Sequence, residues 1–452
     1  MIEPRLAGGF RDYLPKDMIP RQRMFDTIRD TFERFGFLPL DTPGIEKEDI
    51  LTGGDPEFKM QIFRVSLRNT KETDLALRFD LTIPLARVVA SYPNDLERPF
   101  KRYQTGKVWR GEKPQAGRFR EFIQFDADIV GSRSPMADAE IVSLMYETMT
   151  TLGFSEFLIR INNRKILNGL AAYVGFSEEK NAAVLRAMDK LEKIGWEGVS
   201  EELQREPGDR DNPGVGLSSH QARAVKQFLD IRGGSAEETL SRVEALMADS
   251  PRAKEGIDEL KTITECVRAL GVPSSKWIID LSIARGLGYY TGSVFETMLT
   301  NLPSIGSVFS GGRYDDLVAR FGPGIIPATG ASVGVDRLYV AMEKLGIIPL
   351  QTTVTKVMVL NFSPACRFLV QAAATELRRC GIPTEIYFGQ EVTLKGQLSF
   401  AVKRGVPYVL LIGDNEKEKG VAQLKDLSQR TQVEIPLSEI ADRVAELISG
   451  GQ

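Results

Sequence analysis

The stretch FKRYQTGKVWRGEKPQAGRFREFIQFDADIVG, residues 100–131, constrains this chain more than any other. Two β-prone runs flank a loop containing glycine and proline, the pattern of an antiparallel hairpin. On the returning run Gln124, Asp126 and Asp128 alternate, so their side chains face the same way. Three polar groups on one face of an otherwise apolar strand suggest a lined cavity more than a core. Lys101, Arg102, Lys107, Arg110, Lys113, Arg118 and Arg120 cluster around the same loop. Arg110, at the end of the first run, could grip a phosphate with both arms of its guanidinium. The competing reading is a solvated hairpin with scattered basic residues.

The surrounding pattern extends the hairpin into a sheet. Met24, Phe25, Ile28, Phe32 and Phe35 recur at helical spacing, and Gly36 closes that helix. Short β-prone runs between 57 and 131, including LALRFDLT, predict a mostly antiparallel sheet, and Thr82 with Pro84 marks a helix start. Residues 135–152 read as a helix. From 168 to 265 the texture is helical and charge-rich, broken by REPGDRDNPGVG and IRGGS, which suggests a helical insertion. β-prone texture returns at 276 and runs to ATGASVGVDRLYVAMEKLG, where a glycine-rich strand feeds a helix. Beyond IIPLQTTVT, strand and helix alternate up to PYVLLIG, the rhythm of a small α/β domain with a partly parallel sheet. The expected division is an α+β domain of residues 1–167 and 266–345 with a mostly antiparallel sheet, the helical insertion 168–265, and a C-terminal α/β domain 353–452.

Composition narrows the chemistry. A single histidine, His220, in the polar segment GLSSHQAR, argues against a histidine base, a Ser/His/Asp triad or a zinc-histidine cluster. The three cysteines, Cys266, Cys366 and Cys380, lack metal-ligand spacing and are too few for a disulfide framework, which fits a reducing cytosol. No apolar run approaches the roughly 18 residues a bilayer span requires, so a cytoplasmic protein without membrane attachment is expected. A net charge of −3 argues against indiscriminate nucleic-acid binding but not against a local basic surface. Chemistry is left to arginine, carboxylate, tyrosine and a bound cofactor.

Two further stretches stand out. RGLGYYTGSVFE, residues 285–296, has glycines that could suggest a phosphate loop, but it continues into β-prone residues rather than opening a helix, so a dinucleotide fingerprint fails. In ATGASVGVDRL, Arg337 lies at a helix start, where the helix dipole disfavours a cation and its presence hints at an anionic ligand. A surface salt bridge would also explain it.

Taken together, TPGIE, the arginine-bearing hairpin and GVDRL resemble, in order, the three signature motifs of class II aminoacyl-tRNA synthetases. RGLGYYTGSVFE and SGGRYDDLV resemble segments that mark the histidyl-tRNA synthetases within that class, and LKGQLSFAVKRGVPYVLLIG resembles part of their anticodon-binding domain. The resemblance implies a histidine-tRNA ligase with ATP as substrate, Mg2+ on unassigned ligands, L-histidine and tRNA(His) as partners, and a homodimer. It assigns catalysis to Arg285 and Arg110, and ATP binding to these two with Glu112 and Arg337. Histidine is assigned to Asp80, Thr82, Gln124, Asp128, Tyr289 and Tyr290, and the tRNA acceptor end to Lys113, Gln115 and Arg120. Gly288 departs from the pattern: many relatives carry aspartate there. A histidine-sensing regulatory subunit of ATP phosphoribosyltransferase, expected to lack the C-terminal domain and to have eroded ATP-binding arginines, and a stand-alone RNA-binding paralogue are the alternative readings.

Overall fold

The computed structural model describes residues 2–449 apart from 54–58, 69–73, 113–118, 209–213, 285–289, 323 and 349–350. The strands of the first part are β1 (Leu38–Pro39), β2 (Ile45–Lys47), β3 (Arg64–Val65), β4 (Leu75–Leu77), β5 (Phe100–Trp109) and β6 (Glu121–Val130). They are followed by β7 (Phe157–Asn163), β8 (Trp277–Ile279), β9 (Ser293–Leu299), β10 (Phe309–Arg313) and β11 (Ala328–Gly334). Eight of them form one sheet in the order β1-β5-β6-β11-β10-β9-β7-β8, and β2-β4-β3 form a smaller one. Pairing is antiparallel from β5 through to β7. At both edges it is parallel, β1 on β5 and β8 on β7, so the sheet is mixed. The expectation of a mostly antiparallel sheet therefore holds inside the sheet and fails at its edges, where strands of two and three residues are too short to carry a readable pattern.

Apolar helices cover this sheet. The helix Pro15–Arg34 starts earlier than its apolar spacing suggests. Its Ile28 and Phe32 are fully buried, and Phe32 meets Phe125 of β6 edge-on at 5.2 Å. The helix Pro135–Thr151 opens on Ser134, whose side chain accepts from the Met136 amide, with proline in the first turn where a missing N–H costs nothing. Asp138 on this helix is buried and pins the sheet beneath it. It accepts from Ser293 at 2.5 Å, Thr329 at 2.8 Å and the Arg313 guanidinium at 2.5 and 3.1 Å.

Between β7 and β8 the described residues form helices and turns, from Arg164–Asn168 to Pro251–Ala269. Arg160 and Asn163 of β7 link them to the sheet, Asn163 donating to Glu259 of the helix Pro251–Ala269 at 2.7 Å. Arg160 of β7 donates to Asp280 at 2.7 Å and Ser282 at 3.0 Å, reaches Glu296 of β9 at 3.3 Å, and bonds Glu192 on the helix Leu191–Gln204.

The C-terminal part holds β12 (Val357–Val359), β13 (Thr384–Ile386), β14 (Tyr408–Leu411), β15 (Val421–Asp426) and β16 (Thr431–Pro436), ordered β13-β12-β14-β15-β16. The first three are parallel and the last two antiparallel. β15 and β16 were not evident in the sequence pattern, because β16 exposes all but one of its residues and lacks an apolar face. Fully buried Gln397 stitches the domain together, accepting from the Asn361 amide and donating to the carbonyls of Asn361 and Glu391. Backbone proximity divides the chain into two units, Met1–Arg11 with Met24–Ile347, and Asp12–Arg23 with Ile348–Gln452.

Candidate active site

Strand register brings distant polar residues into rows. Asp128 lies opposite Arg102 on one side and Gly330 on the other; Asp126 lies between Gln104 and Ser332; Gln124 lies between Gly106 and Gly334. Arg102 is fully buried. Its Nη2 pairs with Asp128 at 2.8 Å and donates to the Leu81 carbonyl at 3.2 Å, while Nε and Nη1 have no protein partner. The other Asp128 oxygen accepts from the Tyr314 hydroxyl. Gly330 makes room for this carboxylate, since a Cβ there would lie 2.0 Å from it. Gly312 does the same for Tyr290, whose ring would be 2.9 Å from a Cβ. Glycine thus makes room in the sheet for a buried carboxylate and a tyrosine ring.

The charges perturb one another. Burial pushes the Asp126 carboxyl up to about 7; Arg102 opposes the rise, and Asp128 and Asp80 add to it. Asp128 is raised for the same first reason, against Arg102 and the Tyr314 hydrogen bond. Burial, with Asp126, Asp128 and Asp80 nearby, also raises Tyr290 and keeps its phenol protonated. Asp80, one residue before the N-cap Leu81, accepts from the Ile83 amide at 3.0 Å and so ties itself to the first turn of the helix Thr82–Ser91.

A cavity of about 270 Å³ opens alongside, lined by Arg110, Glu112, Phe119, Phe122, Gln124, Ser332 and Arg337 among others. Arg110 is steered into it by a 3.1 Å bond from Nε to the Phe79 carbonyl, with its guanidinium carbon 5.1 Å from the Phe122 ring centre. Arg337, in the first turn of the helix Val335–Lys344, donates to the Ser307 carbonyl at 2.9 Å. Two guanidinium groups and an aromatic face on one cavity suit a polyanion carrying a planar ring.

The structure therefore gathers Arg110, Glu112, Gln124 and Arg337 around the cavity, and brings Asp80, Asp128 and Tyr290 within electrostatic reach of one another. Thr82 opens the helix two residues after Asp80. Arg120 donates to the backbone carbonyls of Glu112 and Gly8, both at 3.2 Å. Arg285, Tyr289, Lys113 and Gln115, with Gly288, lie outside the described residues.

The basic cluster needs correcting. Arg102 faces the interior, Lys101 pairs with Glu140, and Lys107 pairs with Glu121 at 2.7 Å, so these three do not form a shared basic surface. The hairpin register sends them to different neighbours. Sequence reasoning also missed Ser332, Tyr314 and Arg78, whose guanidinium bonds Thr42 and the Lys107 carbonyl. Arg102 and Gln104 alternate on β5 as Asp126 and Asp128 do on β6, and that matching period was the available signal.

The family model for histidyl-tRNA synthetase matches residues 9–338, and that for the anticodon binding domain matches residues 356–447. A histidine–tRNA ligase of Clostridium tetani is 41% identical over 97% of this chain and 97% of its own. A crystal structure of histidyl-tRNA synthetase from Nostoc sp. superposes with a TM-score of 0.86 at 33% identity, covering 99% of this chain and all of that one. A Bacillus halodurans structure described as an ATP phosphoribosyltransferase regulatory subunit/histidyl-tRNA synthetase gives 0.73 at 25% identity, over 88% of this chain and 96% of that one. With both domains matched in order and the identity running nearly end to end, this chain belongs to the histidyl-tRNA synthetase family.

Proposed function

We infer that this protein activates L-histidine with ATP and transfers it to the 3′ end of tRNA(His). The histidine carboxylate attacks the α-phosphate, an O–P bond forms, and pyrophosphate leaves with the electrons of the broken bond. A terminal ribose hydroxyl of the tRNA then attacks the acyl carbon and AMP departs. Phosphoryl chemistry of this kind rests on positioning and charge stabilisation, so a chain with one histidine is equipped for it.

The observation that carries the reading is the adjacency of the two halves of the site. Gln124 lines the arginine-bearing cavity and shares its strand face with Asp126 and Asp128. In this assignment Arg110 holds the α-phosphate, Arg337 the γ-phosphate, and Glu112 lies at the adenine. Asp80 and Thr82 take the ammonium with Gln124 close by, while Asp128, Tyr289 and Tyr290 surround the imidazole. Arg285 stabilises the α-phosphate as pyrophosphate leaves. Lys113, Gln115 and Arg120 face the tRNA acceptor end, and the C-terminal domain reads the anticodon. Mg2+ would arrive with the nucleotide, held mainly by phosphate oxygens and water. Among the described residues, no group of three or more His, Cys, Asp or Glu side chains is placed to hold a metal ion.

A homodimer and a cytoplasmic location complete the proposal. Among the described residues no helix is long and apolar enough to cross a membrane. The sensor and RNA-binding alternatives are disfavoured by the intact arginines around the cavity and by the C-terminal domain. ATP–pyrophosphate exchange measured with each of the twenty amino acids tests the reading. Histidine alone should support exchange; no response to histidine would refute it.

A further inference from the structure

Gln124 presents an unresolved choice of its own. Its amide carries a donor end and an acceptor end, and only one can face a ligand. Nε2 donates to the Ser332 hydroxyl at 3.1 Å, while Oε1 is buried with no protein partner. Ser332 in turn is hydrogen-bonded to the carboxyl of Asp126, its register partner across β6 and β11. Asp126 is 3% exposed, and its Oδ1 has no protein partner.

A serine hydroxyl has one proton to give and lone pairs to receive, whereas an ionised carboxylate only receives. Above pH 7, where Asp126 is ionised, the Ser332 proton goes to the carboxylate, which leaves the hydroxyl oxygen to accept from Gln124. That selects the amide orientation: the NH2 end turns toward Ser332 and Oε1 away from it. The reverse orientation would set two acceptors against each other at Ser332 and point N–H groups at an incoming ammonium. A buried acceptor without a partner costs free energy until a donor arrives, so it favours an N–H-bearing cation.

We propose that Asp126 and Ser332 are positioning residues that hold the Gln124 amide with its oxygen toward the amino group or ring N–H of the substrate histidine. The proposal rests on Gln124 being a histidine contact, as in the function inferred above. Charged and titratable groups acting on Asp126 are Arg102, Arg78, Asp80, Asp128, Tyr290 and Tyr314. None of them can substitute for the hydroxyl, which alone bridges the carboxylate and the amide.

The test is histidine-dependent ATP–pyrophosphate exchange by the full chain and three variants, Ser332→Ala, Ser332→Thr and Asp126→Asn. Loss of one oriented hydrogen bond should raise the histidine KM about five- to tenfold in Ser332→Ala and in Asp126→Asn. ATP KM should stay within about twofold in both. Ser332→Thr keeps the hydroxyl and should restore the histidine KM. Wild-type histidine KM in both Ser332→Ala and Asp126→Asn would overturn the relay, as would equal losses in Ser332→Ala and Ser332→Thr, which would indicate packing alone. If Ser332→Ala does not fold, Ser332→Gly, which also lacks the hydroxyl, decides. Wild-type protein that exchanges pyrophosphate with another amino acid instead of histidine would refute the inferred function, whereas histidine-dependent exchange with unaffected variants would refute only the relay.

Discussion

Asp126 is held in the folded protein against its own chemistry. Its carboxyl titrates near 7 when folded and near 3.8 when exposed, with burial as the main cause. Between those values the folded chain binds a proton that the unfolded chain has released, so stability falls as pH rises from about 4 to about 7 and then levels off. Asp126→Asn removes that slope. Without histidine, its melting temperature should exceed the wild-type value by a few degrees near pH 8, and the advantage should shrink near pH 5. A pH-independent difference in thermal unfolding would contradict this. Substrate selection and stability thus pull this residue in opposite directions, as is common where a site is built for a ligand's charge. Arg285 belongs to the same scale. Arg285→Ala should slow adenylate formation by on the order of 10²-fold or more with ATP binding retained, as for loss of a preorganised charge donor. Stopped-flow or exchange kinetics near the wild-type rate would remove Arg285 from the catalytic assignment.

At the scale of elements, the site is carried by β5, β6, β10 and β11, and their alignment depends on buried polar ties between segments far apart in sequence. Asp138 and Arg313 join a helix to β10 and, through Ser293 and Thr329, to the strands on either side of it. Asp138→Ala would take from buried Arg313 its nearest carboxylate, leaving Asp315 at 3.4 Å and the carbonyls of Ser132 and Ser134, and should cost about 3 kcal/mol, read as a lowered urea midpoint. A midpoint within error of wild type would contradict that. Glu192, half-exposed on its helix, is a weaker partner for Arg160 and should matter far less. These ties explain what the sequence could and could not reveal. The hairpin of β5 and β6, the helix starting at Thr82 and the strand-to-helix passage at Arg337 were legible, because alternation, proline and glycine act locally. The alternation of Gln124, Asp126 and Asp128 also pointed to one polar face. Which basic residue turns inward to meet that face depends on cross-strand register, so Arg102 was indistinguishable from its solvated neighbours. Ser332 and Arg313 were hidden for the same reason, being fixed by partners some two hundred residues away.

At the scale of the whole molecule, each half of the expected assignment belongs to a distinct matched domain, catalytic at residues 9–338 and anticodon-binding at 356–447. The homodimer that the family resemblance implies predicts a sedimenting mass of about twice the 50.2 kDa chain, and a monomer at micromolar concentration would count against it. The crowding of Asp80, Asp126 and Asp128 around Arg102 has a further consequence, in the exchange of matter with solvent. A carboxyl balanced near neutrality is only part-ionised, and a substrate ammonium arriving beside it favours the ionised form. Histidine binding near pH 7 should therefore expel part of a proton into the medium. Calorimetric binding enthalpies should then shift with the ionisation heat of the buffer, and Asp126→Asn should lose that share of the shift.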